Sequence, residues 1–149
     1  MQPNTAIGDL MTTELITIGP KDLLEKVKTI FDNYTFRHLP VVDANQRLLG
    51  LISKSDFVKI SHALTIFNSE KFEPYNQRLL QTILVEEVMT TNLFKLQPED
   101  PLALAIDIFL ENHFHAIPIV QEDQLIGLLS PNDILANLKE VQMGQVNII

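Results

Sequence analysis

Cysteine and tryptophan are both absent from this chain of 149 residues. Without cysteine there is no disulfide, no thiol nucleophile and no zinc–thiolate centre. That lack also fits a reducing compartment. Glycine is scarce, at five residues, and none falls in a Gly-x-x-x-x-Gly-Lys-Ser/Thr loop that would cradle phosphates. Positive charge is scarce too: 11 Lys and Arg face 19 Asp and Glu, for a formal net charge of −8. Nucleic acid is therefore not an expected partner, because such binding needs a basic face that displaces counterions from phosphates. Long apolar runs are missing, and none approaches the roughly 18 residues of a membrane span. The start Met1-Gln2-Pro3-Asn4 lacks the basic and apolar regions of a signal peptide. The expectation is a cytoplasmic protein without a membrane partner. A chain of this length buries roughly two-thirds of its unfolded surface, so it needs neither disulfide nor structural metal to fold.

What is present is a repeat. Met11-Thr12-Thr13-Glu14-Leu15 returns as Met89-Thr90-Thr91-Asn92-Leu93, and Phe36-Arg37-His38-Leu39-Pro40-Val41-Val42 as Phe114-His115-Ala116-Ile117-Pro118-Ile119-Val120. Both recur at an offset of 78 residues. Leu48-Leu49-Gly50-Leu51-Ile52-Ser53-Lys54-Ser55-Asp56 then returns as Leu125-Ile126-Gly127-Leu128-Leu129-Ser130-Pro131-Asn132-Asp133, one residue earlier. Over the aligned stretches 11–42 with 89–120 and 48–56 with 125–133, 17 of 41 pairs are identical. Two copies of one unit imply pseudo-twofold packing, with function expected in a cleft between them.

Each copy reads strand, helix, strand, strand, helix. Leu15 to Ile18 is a short β-rich run ending at Gly19-Pro20. Pro20 sits where a helix can begin, with Asp22 in its first turn. Leu23, Leu24, Val27, Ile30, Phe31 and Tyr34 follow at spacings of three and four, one face of an amphipathic helix. Leu39 to Val42 and Leu48 to Ile52 flank the polar turn 43–47 as a hairpin, and Ser53 opens a second helix. The second copy repeats the order through Leu93 to Leu96, Leu102 to Phe109, Ile117 to Val120, Leu125 to Leu129 and a helix starting at Ser130-Pro131. The boundaries are 7–60 for the first copy, 61–84 for a connector, 85–138 for the second copy and 139–149 for a C-terminal tail. Leu64, Ile66, Phe67, Tyr75, Leu79, Leu80, Ile83 and Leu84 make the connector too apolar for a flexible linker. It is expected to extend the second helix, turn near Glu73-Pro74 and pack back on the fold. The tail from Val141 to Ile149 shows no periodic pattern and reads either as loosely ordered or as adding contacts in an oligomer.

The Met-Thr start, the central Pro-Val-Val and the Gly-h-h-Ser-x-x-Asp ending, in fixed order and present twice, resemble the CBS domain of the cystathionine-beta-synthase type. Two in tandem resemble a CBS pair, or Bateman module. The resemblance implies an α/β (α+β) fold of two pseudo-twofold β-α-β-β-α repeats packed through their sheets. It also implies a regulatory role, adenosine-containing ligands of the AMP, ADP or ATP type in clefts between the repeats, and a homodimer built as a disc of four copies. It leaves open whether magnesium accompanies the phosphates.

The site candidates are Ser53 with Asp56 and Ser130 with Asp133. A helix N-terminus offers free N–H groups and a positive dipole end to a phosphate, the serine hydroxyl adds a donor, and the aspartate accepts from ribose hydroxyls. The same Ser-x-x-Asp spacing is also a plain capping box, and both roles fit one pair of side chains. Arg37 and His115 stand three residues before the strand prolines, where the resemblance places phosphate contacts. Thr17 and Lys95 are equivalent positions in the first strand of each copy, which borders the ligand in that family. Lys95 departs from the family's threonine. Ile16, Ile18, Leu39 and Ile117 either sandwich a base or fill the core. The two half-sites are unequal, so two non-equivalent affinities are expected.

Nothing points to catalysis. No Ser-His-acid grouping has motif support, and His113 and His115, two apart, give no expected metal site. The sequence reads as a stand-alone sensor of an adenine nucleotide that signals to an unknown effector protein by conformational or oligomeric change. Two alternatives stay open: a ligand-free interaction module that uses segment 61–84, and a sensor of cyclic di-AMP.

Overall fold

The computed structural model of the chain describes residues 5–64 and 73–146. A 3-10 turn at Ile7–Asp9 is followed by helix α1 (Leu24–Asn33), strands β1 (His38–Val42) and β2 (Leu48–Ser53), and helices α2 (Lys54–Leu64), α3 (Glu73–Leu80) and α4 (Val85–Val88). Then come α5 (Leu102–Leu110), β3 (Ile117–Gln121), β4 (Gln124–Leu129) and α6 (Pro131–Val146). Mixed helix and strand content with two small antiparallel sheets, β1–β2 and β3–β4, gives the expected α/β class.

The chain folds into two compact units. One is Ile16–Asn92; the other joins the residues up to Leu15 with those from Leu93 onward. The packing units therefore cut the chain at other places than the sequence copies do. Each unit contains the body of one copy and a short N-terminal arm of the other.

In the first unit, α1 buries the predicted stripe: Leu24 and Val27 are fully covered, and Ile30 and Phe31 nearly so. Each such side chain contributes about 1.5–3 kcal/mol of transfer free energy. Tyr34 departs from the expectation. It lies beyond the helix, more than half exposed, with its ring 6.2 Å from that of Phe36. The helix also begins four residues after Pro20, not at it. The Asp22 carboxylate accepts the Gly19 amide at 2.7 Å and closes a turn over 19–22, so the chain is not yet helical there. Gln97 and Asp100 make the same turn at 2.7 Å in the second unit.

The first strand of each copy is reduced to one parallel bridge. Ile18 donates to Pro40 at 3.0 Å and accepts from Val42 at 2.9 Å. Leu96 does the same with Pro118 at 3.1 Å and Val120 at 2.9 Å. The pairing cannot lengthen, because the chain turns at once into Gly19-Pro20 or Gln97-Pro98 and proline has no N–H to give. The hairpins agree with the reading of the sequence, and their loops explain the slip in the repeat. Five residues join β1 to β2, where the Asp43 carboxylate accepts from the Asn45 and Arg47 amides at 2.8 and 3.0 Å. In the second unit Gln121 pairs with Gln124 across Glu122 and Asp123, both at positive φ, a tight two-residue turn.

The arms dock by a second set of matching contacts. Val85 and Glu86 donate to the Asp22 and Pro20 carbonyls at 2.8 and 2.9 Å. Ile7 and Gly8 donate to Asp100 and Pro98 at 3.0 and 2.8 Å. Met89 lies over Gly50 so closely that a Cβ there would come within 2.6 Å of its sulfur. Met11 lies over Gly127 in the same way, at 2.5 Å. Glycine at these two places is a requirement of the arm, since any side chain would displace the methionine.

The connector packs back through Leu80, which is buried in the core of the first unit, with Ile83 packed against it. Glu73-Pro74 begins α3 instead of forming a turn, as proline suits a helix's first residues. Ile66 and Phe67 lie outside the described residues, as do the side chains of Leu64 and Tyr75. The expected loose tail is corrected from Val141 to Val146, which continue α6. No helix among the described residues is long and apolar enough to cross a membrane.

Candidate functional site

The start of β1, the end of β2 and the first turn of α2 meet at one end of the first unit. The antiparallel register sets His38 opposite Ser53, and the Lys54 amide donates to the Arg37 carbonyl at 2.7 Å. The segment ending at Ile18 runs parallel to β1 and brings Ile16 and Thr17 toward the same end. Backbone pairing thus sets Arg37 beside Ser53 and the first turn that carries Asp56, with Thr17 one residue before the Ile18 bridge. The Ser53 hydroxyl accepts the Asp56 amide at 3.0 Å, which makes it the cap of α2. Asp56 is half-buried, and no described residue donates to its carboxylate. Arg37 is exposed.

In the second unit Ser130 stands between the end of β4 and the start of α6, with Asp133 in the first turn of α6. Lys95 precedes the Leu96 bridge and His115 lies two residues before β3. Lys95 and His115 are exposed. Ser130 and Asp133 form a reciprocal capping box. The Ser130 amide and hydroxyl donate to Asp133 Oδ2 at 2.8 and 3.2 Å, and the Asp133 amide returns a bond to Ser130 Oγ at 3.4 Å. Asp133 Oδ1 accepts the Thr12 hydroxyl at 2.9 Å. The two halves therefore differ in carboxylate state as well as in composition.

The apolar candidates divide. Leu39 and Ile117 are completely buried and Ile18 is 2% exposed, so all three form the core beneath the site and present no surface to a base. Ile16 is partly buried at its edge. Beside Lys95, Phe94 is 46% exposed and meets Phe114 edge-on at 5.1 Å. Thr12 is the residue whose contact with the site was missed. Its signal was its recurrence as Thr90, legible as a motif but not as a partner of Asp133, 121 residues away.

The CBS-domain family profile matches residues 7–63 and 85–140. The chain belongs to the CBS-domain family. Among its relatives, the uncharacterised protein MJ1225 of Methanocaldococcus jannaschii is 30% identical over 133 residues, covering 89% of this chain and 46% of MJ1225. The MJ1225 crystal structure superposes with a TM-score of 0.73 over 93% of this chain and 49% of that one. The chain spans about a quarter to a half of the length of the first curated relatives that it matches. CBSX2 of Arabidopsis thaliana, solved in complex with AMP, gives a TM-score of 0.74 at 22% identity, over 92% of this chain and 98% of CBSX2. The CBS pair of protein MJ0100, solved with 5′-methylthioadenosine and S-adenosyl-L-methionine, gives 0.72 at 19% identity, over 93% and 98%. At those identities the likeness establishes the fold alone.

Proposed function

We propose that this CBS pair is a regulatory module that binds an adenosine-containing nucleotide at the strand-to-helix end of its Ile16–Asn92 unit. The observation that carries the reading is Asp56: a half-buried carboxylate in the first turn of α2, accepting no hydrogen bond from a described residue. Its oxygens are not taken by a described residue, and a ribose diol supplies two donors to them. The Lys54 and Asp56 amides at the start of α2 are already engaged, so a phosphate there would meet the positive end of the helix dipole, and exposed Arg37 adds the positive charge that the acidic chain otherwise withholds. Thr17 completes the set from the segment beside β1. The adenosine ligands of CBSX2 and MJ0100 support the ligand class. They do not select between AMP, ADP, ATP and S-adenosylmethionine.

The module is read as a sensor whose occupancy biases conformation or self-association. Its response passes to an effector protein or to a second copy in a homodimer. The cysteine-free composition supports a cytoplasmic setting. Magnesium, where it accompanies the ligand, would be carried on the nucleotide's phosphates, which supply much of its coordination. The rival reading, an interaction surface on 61–84, is weakened by Leu80 and Ile83, which pack into the first unit's core.

Asp56→Ala tests the assignment. Its affinity for AMP should fall by roughly tenfold or more, the worth of hydrogen bonds to a charged acceptor. Unchanged affinity in a calorimetric titration would remove Asp56 from the site.

A further inference from the structure

Both arms dock on their hairpins through the same backbone bonds. Thr12 and Leu128 exchange bonds of 2.9 Å in each direction, and Thr90 and Leu51 exchange bonds of 2.9 and 3.0 Å. The side chains then part company. Thr12 Oγ1 donates to Asp133 Oδ1 at 2.9 Å, while no described bond joins Thr90 to Asp56. With Ser130 donating twice to Oδ2, both oxygens of Asp133 are engaged, and those of Asp56 accept nothing among the described residues.

The difference has a cause in the ladders. The β1–β2 pairing extends to His38 and Ser53, whereas the β3–β4 pairing stops at Ile117 and Leu129. Ser53 is thereby part of a strand. Ser130 lies one residue beyond β4, and its amide turns to the Asp133 carboxylate. That bond draws the carboxylate over the helix start and leaves Oδ1 facing the arm, within reach of the Thr12 hydroxyl.

We propose that Thr12 is a latch: by occupying Asp133 it holds the second unit's site closed to a ribose, so that nucleotide is taken first at Asp56. This rests on the nucleotide reading above. A diol arriving at Asp133 finds one acceptor position of Oδ1 left and gains its second bond only by displacing the threonine hydroxyl, so the affinity there is lowered by the strength of that contact. Displacement also undoes the bond that holds the arm to α6. Thr12 stands five residues before Thr17, which borders the Asp56 site, so the two acids are joined through a short continuous stretch of chain. Any coupling along it is reciprocal, each site changing the other's affinity by the same factor.

The test combines calorimetric titration with AMP and amide hydrogen exchange on the wild type, Thr12→Val and Thr12→Ser. Valine keeps the shape and removes the donor. The wild type should bind one AMP tightly and a second weakly or not at all. Thr12→Val should strengthen the second site by about tenfold and speed exchange of the residue 12 and Leu128 amides. Thr12→Ser should behave as the wild type, and Thr90→Val should change neither readout. Faster exchange without a stronger second site makes Thr12 a structural contact only and overturns the latch. Unchanged exchange and unchanged binding in Thr12→Val overturn it as well. If none of the proteins binds AMP, the nucleotide reading fails with it, and faster exchange in Thr12→Val would mark the contact as a purely structural tie.

Discussion

Two aspartates at equivalent places hold different states, and single residues around them decide which. Gly50 and Gly127 show how tightly the surroundings are set. A Cβ at Gly50 would meet the Met89 sulfur at 2.6 Å and the Thr90 carbonyl at 3.0 Å. Gly50→Ala should therefore cost about 1–3 kcal/mol of stability through overpacking. The double variant with Met89→Ala should recover part of that loss in urea unfolding, because the two residues share one clash. Asp22 carries a pH dependence. Its burial favours the neutral acid, but the Gly19 amide and the bond and charge of Lys26 outweigh that and hold its pKa below the usual value. A depressed carboxyl pKa gives stability that is present above the unfolded value, about 3.9, and lost as pH falls through the lower folded value. The stability gap between the wild type and Asp22→Asn should thus be largest near pH 6 and shrink below about pH 4. A gap that grows on acidification would contradict this account of the turn.

At the scale of elements, periodicity was a good guide wherever one stripe faces one core. The spacing of Leu24, Val27, Ile30 and Phe31 gave α1, and the turn-bounded apolar runs gave both hairpins. Periodicity could not show that Asp22 bonds Gly19 and delays the helix, nor that α6 runs on to Val146 without an apolar stripe to announce it. The exchanged arms were hidden for a different reason. Met-Thr marks the start of each copy, but which hairpin that start docks on depends on contacts far apart in sequence. The site was legible in the same graded way. Ser-x-x-Asp marked two helix starts that do fold as caps, while the burial of Leu39 and Ile117 followed from the strand register, which the sequence did not carry. The connector offers a direct check at this scale. Leu80→Ala, which empties a nearly covered position beside α1, should destabilise the first unit by about 2–4 kcal/mol in urea unfolding. A change within about 0.5 kcal/mol would mean that α3 is not part of that core.

The whole molecule is a CBS pair whose two halves share a plan and differ in chemistry. In one half no described residue donates to the Asp56 carboxylate; in the other Thr12 on the arm donates to Asp133, and His115 and Lys95 stand at the positions of Arg37 and Thr17. A sensor of the kind proposed would act by differential affinity, its ligand biasing two states only as far as it binds one better. The first measurement is a thermal-shift titration of the wild type and Asp56→Ala against adenosine, AMP, ADP, ATP, S-adenosylmethionine and cyclic di-AMP. The account predicts a saturable rise in Tm with at least one of these adenosine ligands, growing with concentration and lost or strongly reduced in Asp56→Ala. No shift with any of them, or a full shift in Asp56→Ala, would contradict it.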